Sequence, residues 1–169
     1  MEARERLVGQ LAPLVADHYA RLAGVDTAIG MDYVRSWHGS LFEALEACRR
    51  LDVQRGVSTV GPHRDELELT LAGLPSRTHA SQGEQRSLAL ALQLAAHQLA
   101  TNQLGTAPVL LLDDVFSELD PQRSRALLDG IPPGQTLLTT AQPAPPEVVA
   151  AKVYAMAEGG HVVVTGGAT

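Results

Sequence analysis

Apolar positions in the first fifty residues recur at helical spacing. Leu7, Leu11, Leu14, Val15, His18, Tyr19 and Leu22 fall on one stripe. That stripe predicts an amphipathic helix over 2–23, stopped by Gly24. A short strand is expected over 28–33, then a helix over 40–51 with Leu41, Leu45, Cys48 and Leu51 inward. From Gly56 the texture turns to β: strands are expected over 57–60 and 67–71, the second strictly alternating and turning at Ala72-Gly73. The longest helix is expected over 81–103, with Leu88, Leu92, Ala95, Ala96 and Leu99 on one face. Pro108 then leads into Val109-Leu110-Leu111-Leu112, a run without alternation that ends abruptly in Asp113 and Asp114. Such a run predicts a strand buried on both faces of a parallel sheet. A helix over about 121–128, a short strand over 136–140 and a hairpin of 153–157 with 161–164, turned by Glu158-Gly159-Gly160, complete the order. No internal repeat is present.

Composition narrows the class. At 169 residues the chain holds one domain with a real core, or parts of two. A net charge of −6 argues against a broad basic surface that grips nucleic acid unaided. Cys48 is the only cysteine, which excludes an internal disulfide and fits a reducing, cytoplasmic setting. The six histidines make no zinc spacing. No signal peptide and no apolar run of membrane-spanning length are evident, so no membrane partner is expected.

Three polar clusters carry candidate chemistry. Acids at the carboxyl end of a parallel strand sit where open α/β sheets bind ligands. Asp113 and Asp114 there suit a magnesium ion carried by a nucleotide phosphate, with a second group left to orient water. A buried strand followed by a solvated turn accounts for the run equally well. Ser81-Gln82-Gly83-Glu84-Gln85-Arg86 opens the long helix, and Ser81 with Glu84 is a capping box that needs no ligand. The same helix start offers amides, a positive dipole end and a glycine at which a phosphate can approach. Gly61-Pro62-His63-Arg64-Asp65 forms a third cluster, whose His63 and Arg64 reveal no chemistry of their own; an ion-pair brace and a ligand contact are both open.

In order and spacing, these three motifs resemble the bacterial RecF family of SMC/Rad50-like ABC ATPases, and the resemblance covers most of the chain. It implies an α/β fold: the C-terminal half of an ABC/SMC-type P-loop NTPase lobe, with a parallel sheet and flanking helices, plus part of a helical arm lobe. Residues 1–55 would belong to the arm and 56–169 to the ATPase lobe. By match, Asp113 would act on Mg2+ and Asp114 as the water-orienting base. Ser81, Gln82, Gly83 and Gln85, with Arg86 a weaker candidate, match the signature motif that closes over a partner subunit's ATP. Ser117-Glu118-Leu119-Asp120 resembles the D-loop, although Asp120 before Pro121 is also a plain helix N-cap. At the strand end where transporters carry a switch histidine, the chain has Thr140 and Gln142, either of which could sense the γ-phosphate. The resemblance further implies DNA repair and replication at single-strand/double-strand junctions, a place in the SOS response, RecR and RecO as partners, an ATP-dependent homodimer and weak ATP hydrolysis.

One element is missing. The sequence contains no Gly-x-x-x-x-Gly-Lys-[Ser/Thr], and its only lysine is Lys152. A P-loop needs that lysine and its glycine-rich backbone to hold the β and γ phosphates. The chain is therefore expected to be inactive alone, to match only half of a family protein, and to expose an apolar sheet edge that leaves it marginal or aggregation-prone. A non-enzymatic fragment that only binds a partner, or another ABC-type ATPase subunit, is the competing reading. A transporter would show Leu-Ser-Gly-Gly-Gln and a switch histidine, and neither is present.

Overall fold

The structure is a computed structural model and describes residues 2–117, 119–156 and 161–166. Packing divides the chain into two compact units, Met1–Pro108 and Val109–Thr169.

In the first unit, α1 (Glu2–Ala23) and α4 (Gln82–Leu104) are the main packing pair. Val15, Tyr19 and Leu22 of α1 are buried, as are Leu88, Ala91, Leu94 and Ala95 of α4. His18 Nε2 and Gln98 Oε1 meet at 2.8 Å, so the buried imidazole is satisfied rather than free for a ligand. The α4 face differs from the expected one: Leu94 and Ala91 are inside, Ala96 is exposed, and Leu92 and Leu99 are half-buried. A second buried pair, Leu90 and His97, widens the buried arc, and His97 Nε2 meets the Pro108 carbonyl at 2.8 Å. Two buried stripes around one helix blur the single-face periodicity on which the expectation rested.

β1 (Ile29–Val34), β2 (Glu66–Leu71) and β3 (Leu74–Pro75) form an antiparallel sheet in that order. The β2–β3 turn is the expected Ala72-Gly73, with both residues at positive φ, as a two-residue hairpin turn matched to strand twist requires. The strand expected over 57–60 does not form. Asp52, near the end of α2 (Leu41–Arg55), accepts from the Thr59 amide at 2.9 Å and the Thr59 hydroxyl at 2.6 Å. Arg64 Nε donates to the Ser58 carbonyl at 2.8 Å. Side chains thus satisfy a segment that a ladder would otherwise have to pair. Helix α2 itself has no buried residue, contrary to the inward face expected for Leu41, Leu45, Cys48 and Leu51. Among the described residues no helix or strand packs substantially on it, and Phe42 is 73% exposed.

The Gly61–Asp65 motif is a brace. The Asp65 side chain is 1% exposed and accepts from the Tyr33 hydroxyl and from the Ser36 amide at 3.0 Å, with Arg4 3.9 Å away. Ser36 Oγ closes on the Gly61 backbone at 3.1 Å in both directions. Gly61 sits at φ +137°, and a Cβ there would meet the His63 ring at 3.0 Å, so the turn needs glycine. His63 and Arg64 are exposed, the His63 ring beside Gly61 and Arg64 Nε bonded to the Ser58 carbonyl. Burial pushes the Asp65 carboxyl up, but the Tyr33 and Ser36 hydrogen bonds and the Arg4 charge outweigh it and hold it below the ordinary carboxylate range. A depressed folded-state value contributes stability above the unfolded carboxylate's value of about 4, and that contribution is lost as pH falls through the folded value. Asp65→Asn is therefore expected to be less stable than the parent at pH 7, with the difference shrinking below about pH 4. Urea melts of both proteins across that range check it.

In the second unit, β4 (Leu110–Leu112) and β5 (Thr136–Leu138) form a parallel pair in register Leu110↔Thr136 to Leu112↔Leu138. Burial of β4 is one-sided: Leu110 and Leu112 are inside, whereas Leu111 is 60% exposed. The expected two-faced burial is not met: among the described residues β4 pairs with one strand, and its outer face at Leu111 is mostly exposed. α5 (Pro121–Asp129) follows, capped by Asp120. β6 (Val153–Met156) and β7 (Val162–Gly166) make the expected antiparallel hairpin. Its expected turn at Glu158-Gly159-Gly160, Ala157 and the D-loop residue Glu118 lie outside the described residues. No helix of the described residues is long and apolar enough to cross a membrane.

Candidate functional site

The two acids occupy the carboxyl end of β4, where the chain leaves the sheet. β5 extends alongside and anchors that exit: the Thr139 amide donates to the Leu112 carbonyl at 2.9 Å, and the Asp114 amide donates to the Thr139 carbonyl at 3.1 Å. Thr139 adds its side chain. Its Oγ1 donates to Asp113 Oδ1 and accepts from the Asp114 amide at 3.1 Å. The Ala141 amide lies 3.4 Å from Asp114 Oδ1. Ser117 closes the turn, its hydroxyl donating to the Asp114 carbonyl at 2.9 Å.

Asp114 sits at φ +45°, in the left-handed region. Aspartate tolerates that conformation better than most residues, and such backbone strain is concentrated at functional sites. The strain turns the chain sharply, so that consecutive carboxylates meet different surroundings: Asp113 is exposed and Asp114 half-buried.

The donor set is all oxygen, which suits a hard cation such as Mg2+. Among the described residues no cluster of three or more His, Cys, Asp or Glu could enclose a metal. Mg2+ is commonly held by one or two carboxylates and completes its shell with water and phosphate oxygens. Asp113, exposed at the strand end, could hold such an ion. The ion would supply charge neutralisation at a phosphate.

The other expected site residues fall into separate groups. In the first unit, Ser81 caps α4 in a full capping box: its Oγ accepts from the Glu84 amide at 3.3 Å, and its own amide donates to Glu84 Oε2 at 2.8 Å. Ser81's amide is thus committed to Glu84 and not open to a phosphate. Gln82 and Gly83 lie in the first turn, whose amides have no intrahelical acceptor. Gln85 turns back, its Nε2 donating to the Ala80 and Ser76 carbonyls at 3.0 and 3.3 Å. Arg86 is half-buried. In the second unit, Asp120 accepts from the Arg123 amide at 2.8 Å and pairs with the Arg123 guanidinium at 3.0 Å. The backbone bond from Arg123, aided by its charge, holds the Asp120 carboxyl below its ordinary range. Thr140 Oγ1 is occupied locally, donating to the Gln142 carbonyl at 2.9 Å, and Gln142 is exposed. Thr139, which bonds to both acids, was not among the expected site residues; the available signal was a polar β-branched residue within the strand expected over 136–140.

No protein-family model matches the chain. Curated relatives do. The DNA replication and repair protein RecF of Frankia alni is 43% identical over 156 residues, covering 83% of this chain and 41% of the relative. RecF of Acidothermus cellulolyticus is 36% identical over 171 residues, covering 94% and 46%. Solved structures of the recombination mediator protein RecF of the RecFOR pathway are also similar. The RecF-ATP structure has a TM-score of 0.77 and 25% identity over 98% of this chain and 46% of its own. The RecF-ATPrS structure has a TM-score of 0.68 and 26% identity over 83% and 41%. The chain spans less than half the length of the curated relatives it matches.

Proposed function

The chain belongs to the RecF family, whose C-terminal half it matches, and from that premise we propose that it carries the metal-binding and water-activating carboxylates of an ATP-dependent DNA repair and replication protein. The observation that carries the reading is the acidic pair at the end of β4, locked to the end of β5, in a chain similar to a RecF solved with ATP. Asp113 binds Mg2+. Asp114 orients and deprotonates the water that attacks the γ-phosphate. Residues 1–55 form part of the arm and 56–169 part of the ATPase lobe.

The nucleotide itself is held by a polypeptide that brings a P-loop, because this sequence has none. Ser81 and the amides of Gln82 and Gly83 close over the ATP of a second subunit, with Arg86 adding charge. Gln85 acts indirectly, by fixing the carbonyls that precede the cap. Asp120 sets the start of α5 at the D-loop, and Thr140 and Gln142 form the turn beside the γ-phosphate. ATP thereby joins two subunits into a clamp on DNA at single-strand/double-strand junctions in the cytoplasm, where RecR and RecO are its partners in loading recombinase. With a net charge of −6 on this part, the DNA grip comes from the assembled dimer rather than from this surface alone.

The test uses a RecF-length protein that carries these residues. Ser81→Arg is expected to leave ATP binding to the monomer within a few-fold and to abolish ATP-driven dimerisation in sedimentation velocity. Normal ATP-dependent dimers would remove Ser81 from a role across the interface.

A further inference from the structure

The hydroxyl of Thr139 touches both acids. It donates to Asp113 Oδ1 and accepts the Asp114 amide, while the Thr139 backbone is bonded to Leu112 and Asp114 on either side of the same exit. We propose that Thr139 is a positioning residue for the metal carboxylate: its hydroxyl fixes the rotamer of Asp113, commits Oδ1 to the protein and leaves Oδ2 for the cation. This inference rests on the reading of Asp113 as the Mg2+ residue.

Three features support it. A β-branched side chain is stiff at χ1, so its Oγ1 is a fixed point and not a searching one. The residue is held at both its amide and its carbonyl by the neighbouring strand, so the hydroxyl inherits the rigidity of the sheet. Asp113 is exposed, and in the absence of that bond its carboxylate would sample several rotamers; ordering it in advance lowers the cost of capturing an ion. Outer partners that orient metal ligands are typically worth 10- to 100-fold in metal affinity.

The same bond gives β5 a means of reporting on the metal. A displacement of the strand end would move the Asp113 carboxylate and the Asp114 backbone together, because one hydroxyl serves both. Thr140, one residue on, is tied to its own turn and cannot substitute.

The experiment uses the chain with Mn2+ alone as the probe. Bound ion is read by electron paramagnetic resonance, and its position by relaxation broadening of the Asp113 to Val115 amide resonances. Thr139→Val keeps the shape and removes the hydroxyl; Thr139→Ser keeps the hydroxyl and removes the methyl. Thr139→Val is expected to weaken Mn2+ binding at this position by roughly 10-fold or more, and Thr139→Ser to stay within a few-fold of the parent. Equal affinity in parent and Thr139→Val overturns the inference, as does a Thr139→Ser variant as weak as Thr139→Val. Asp113→Asn separates the two levels. If Asp113→Asn abolishes the localised broadening while Thr139→Val leaves it intact, only the positioning role falls. If Asp113→Asn also leaves binding unchanged, or the parent shows no localised broadening, the metal reading falls and this inference with it.

Discussion

Asp114→Asn, in a RecF-length protein carrying these residues, is expected to bind ATP within a few-fold of the parent and to hydrolyse it at least about 100-fold more slowly, the usual worth of a positioned general base. The choice of asparagine follows from the backbone. At φ +45° most side chains are strained by roughly 1–2 kcal/mol, and asparagine is among the few that visit this region readily. Its side-chain oxygen can still accept from the Ala141 amide, so the turn is preserved and only the ionisable group is lost. An alanine at the same place would mix lost chemistry with a strained turn. Single-turnover ATP hydrolysis beside equilibrium nucleotide binding separates the two steps. Unchanged turnover would take Asp114 out of the base role.

Leu94→Ala is expected to be the most damaging single truncation in the α1–α4 core. Leu94 is 2% exposed and among the largest fully buried side chains. Removing a buried leucine side chain typically costs about 2–5 kcal/mol, which for a chain of this size lowers Tm by roughly 4–20 °C. Ala96→Ser, two residues on and exposed, should leave Tm nearly unchanged. The pair is informative because helical periodicity alone puts Ala96 inside and passes over Leu94. Differential scanning calorimetry of both variants decides which face of α4 is buried.

That reversal shows where one-dimensional pattern loses its grip. Short-range chemistry was legible: the Ser81–Glu84 capping box, the Asp120-Pro121 helix start and the Ala72-Gly73 turn each depend on residues within four positions, and each forms. The parallel strands β4 and β5 were legible too, because apolar runs broken by turn residues leave few alternatives. Burial was harder, since it depends on neighbours. Leu41, Leu45, Cys48 and Leu51 make a sound inward face for a helix, yet no described element covers α2. Leu111 belongs to a strand with one neighbour among the described residues and is mostly exposed. Residues 57–60 have strand propensity but are claimed by Asp52 and Arg64, side chains whose reach no alternation rule captures.

The candidate site divides along the same line. Asp113 and Asp114 stand out in sequence because a carboxylate pair ends an apolar run. Thr139 is 25 residues away from Asp114, and only the parallel register of β4 and β5 brings its hydroxyl to both acids. The Gly61–Asp65 motif likewise resolves once Tyr33 and Ser36 are seen around Asp65: its aspartate is a buried brace, and its Arg64 ties the turn to the Ser58 carbonyl.

On this reading ATP hydrolysis needs Asp114 of one subunit and the Ser81 helix start of another. Mixing two inactive RecF-length variants, Ser81→Arg and Asp114→Asn, tests it most directly. Each alone lacks one half of every composite site. In a mixed dimer, one site combines the intact Asp114 of the first variant with the intact Ser81 of the second. Ser81→Arg does not pair with itself and Asp114→Asn homodimers hold no complete site, so the complete sites in the mixture are the single ones carried by mixed dimers. ATPase activity is expected to appear in the mixture above that of either variant alone. A mixture no more active than its separate components would contradict it.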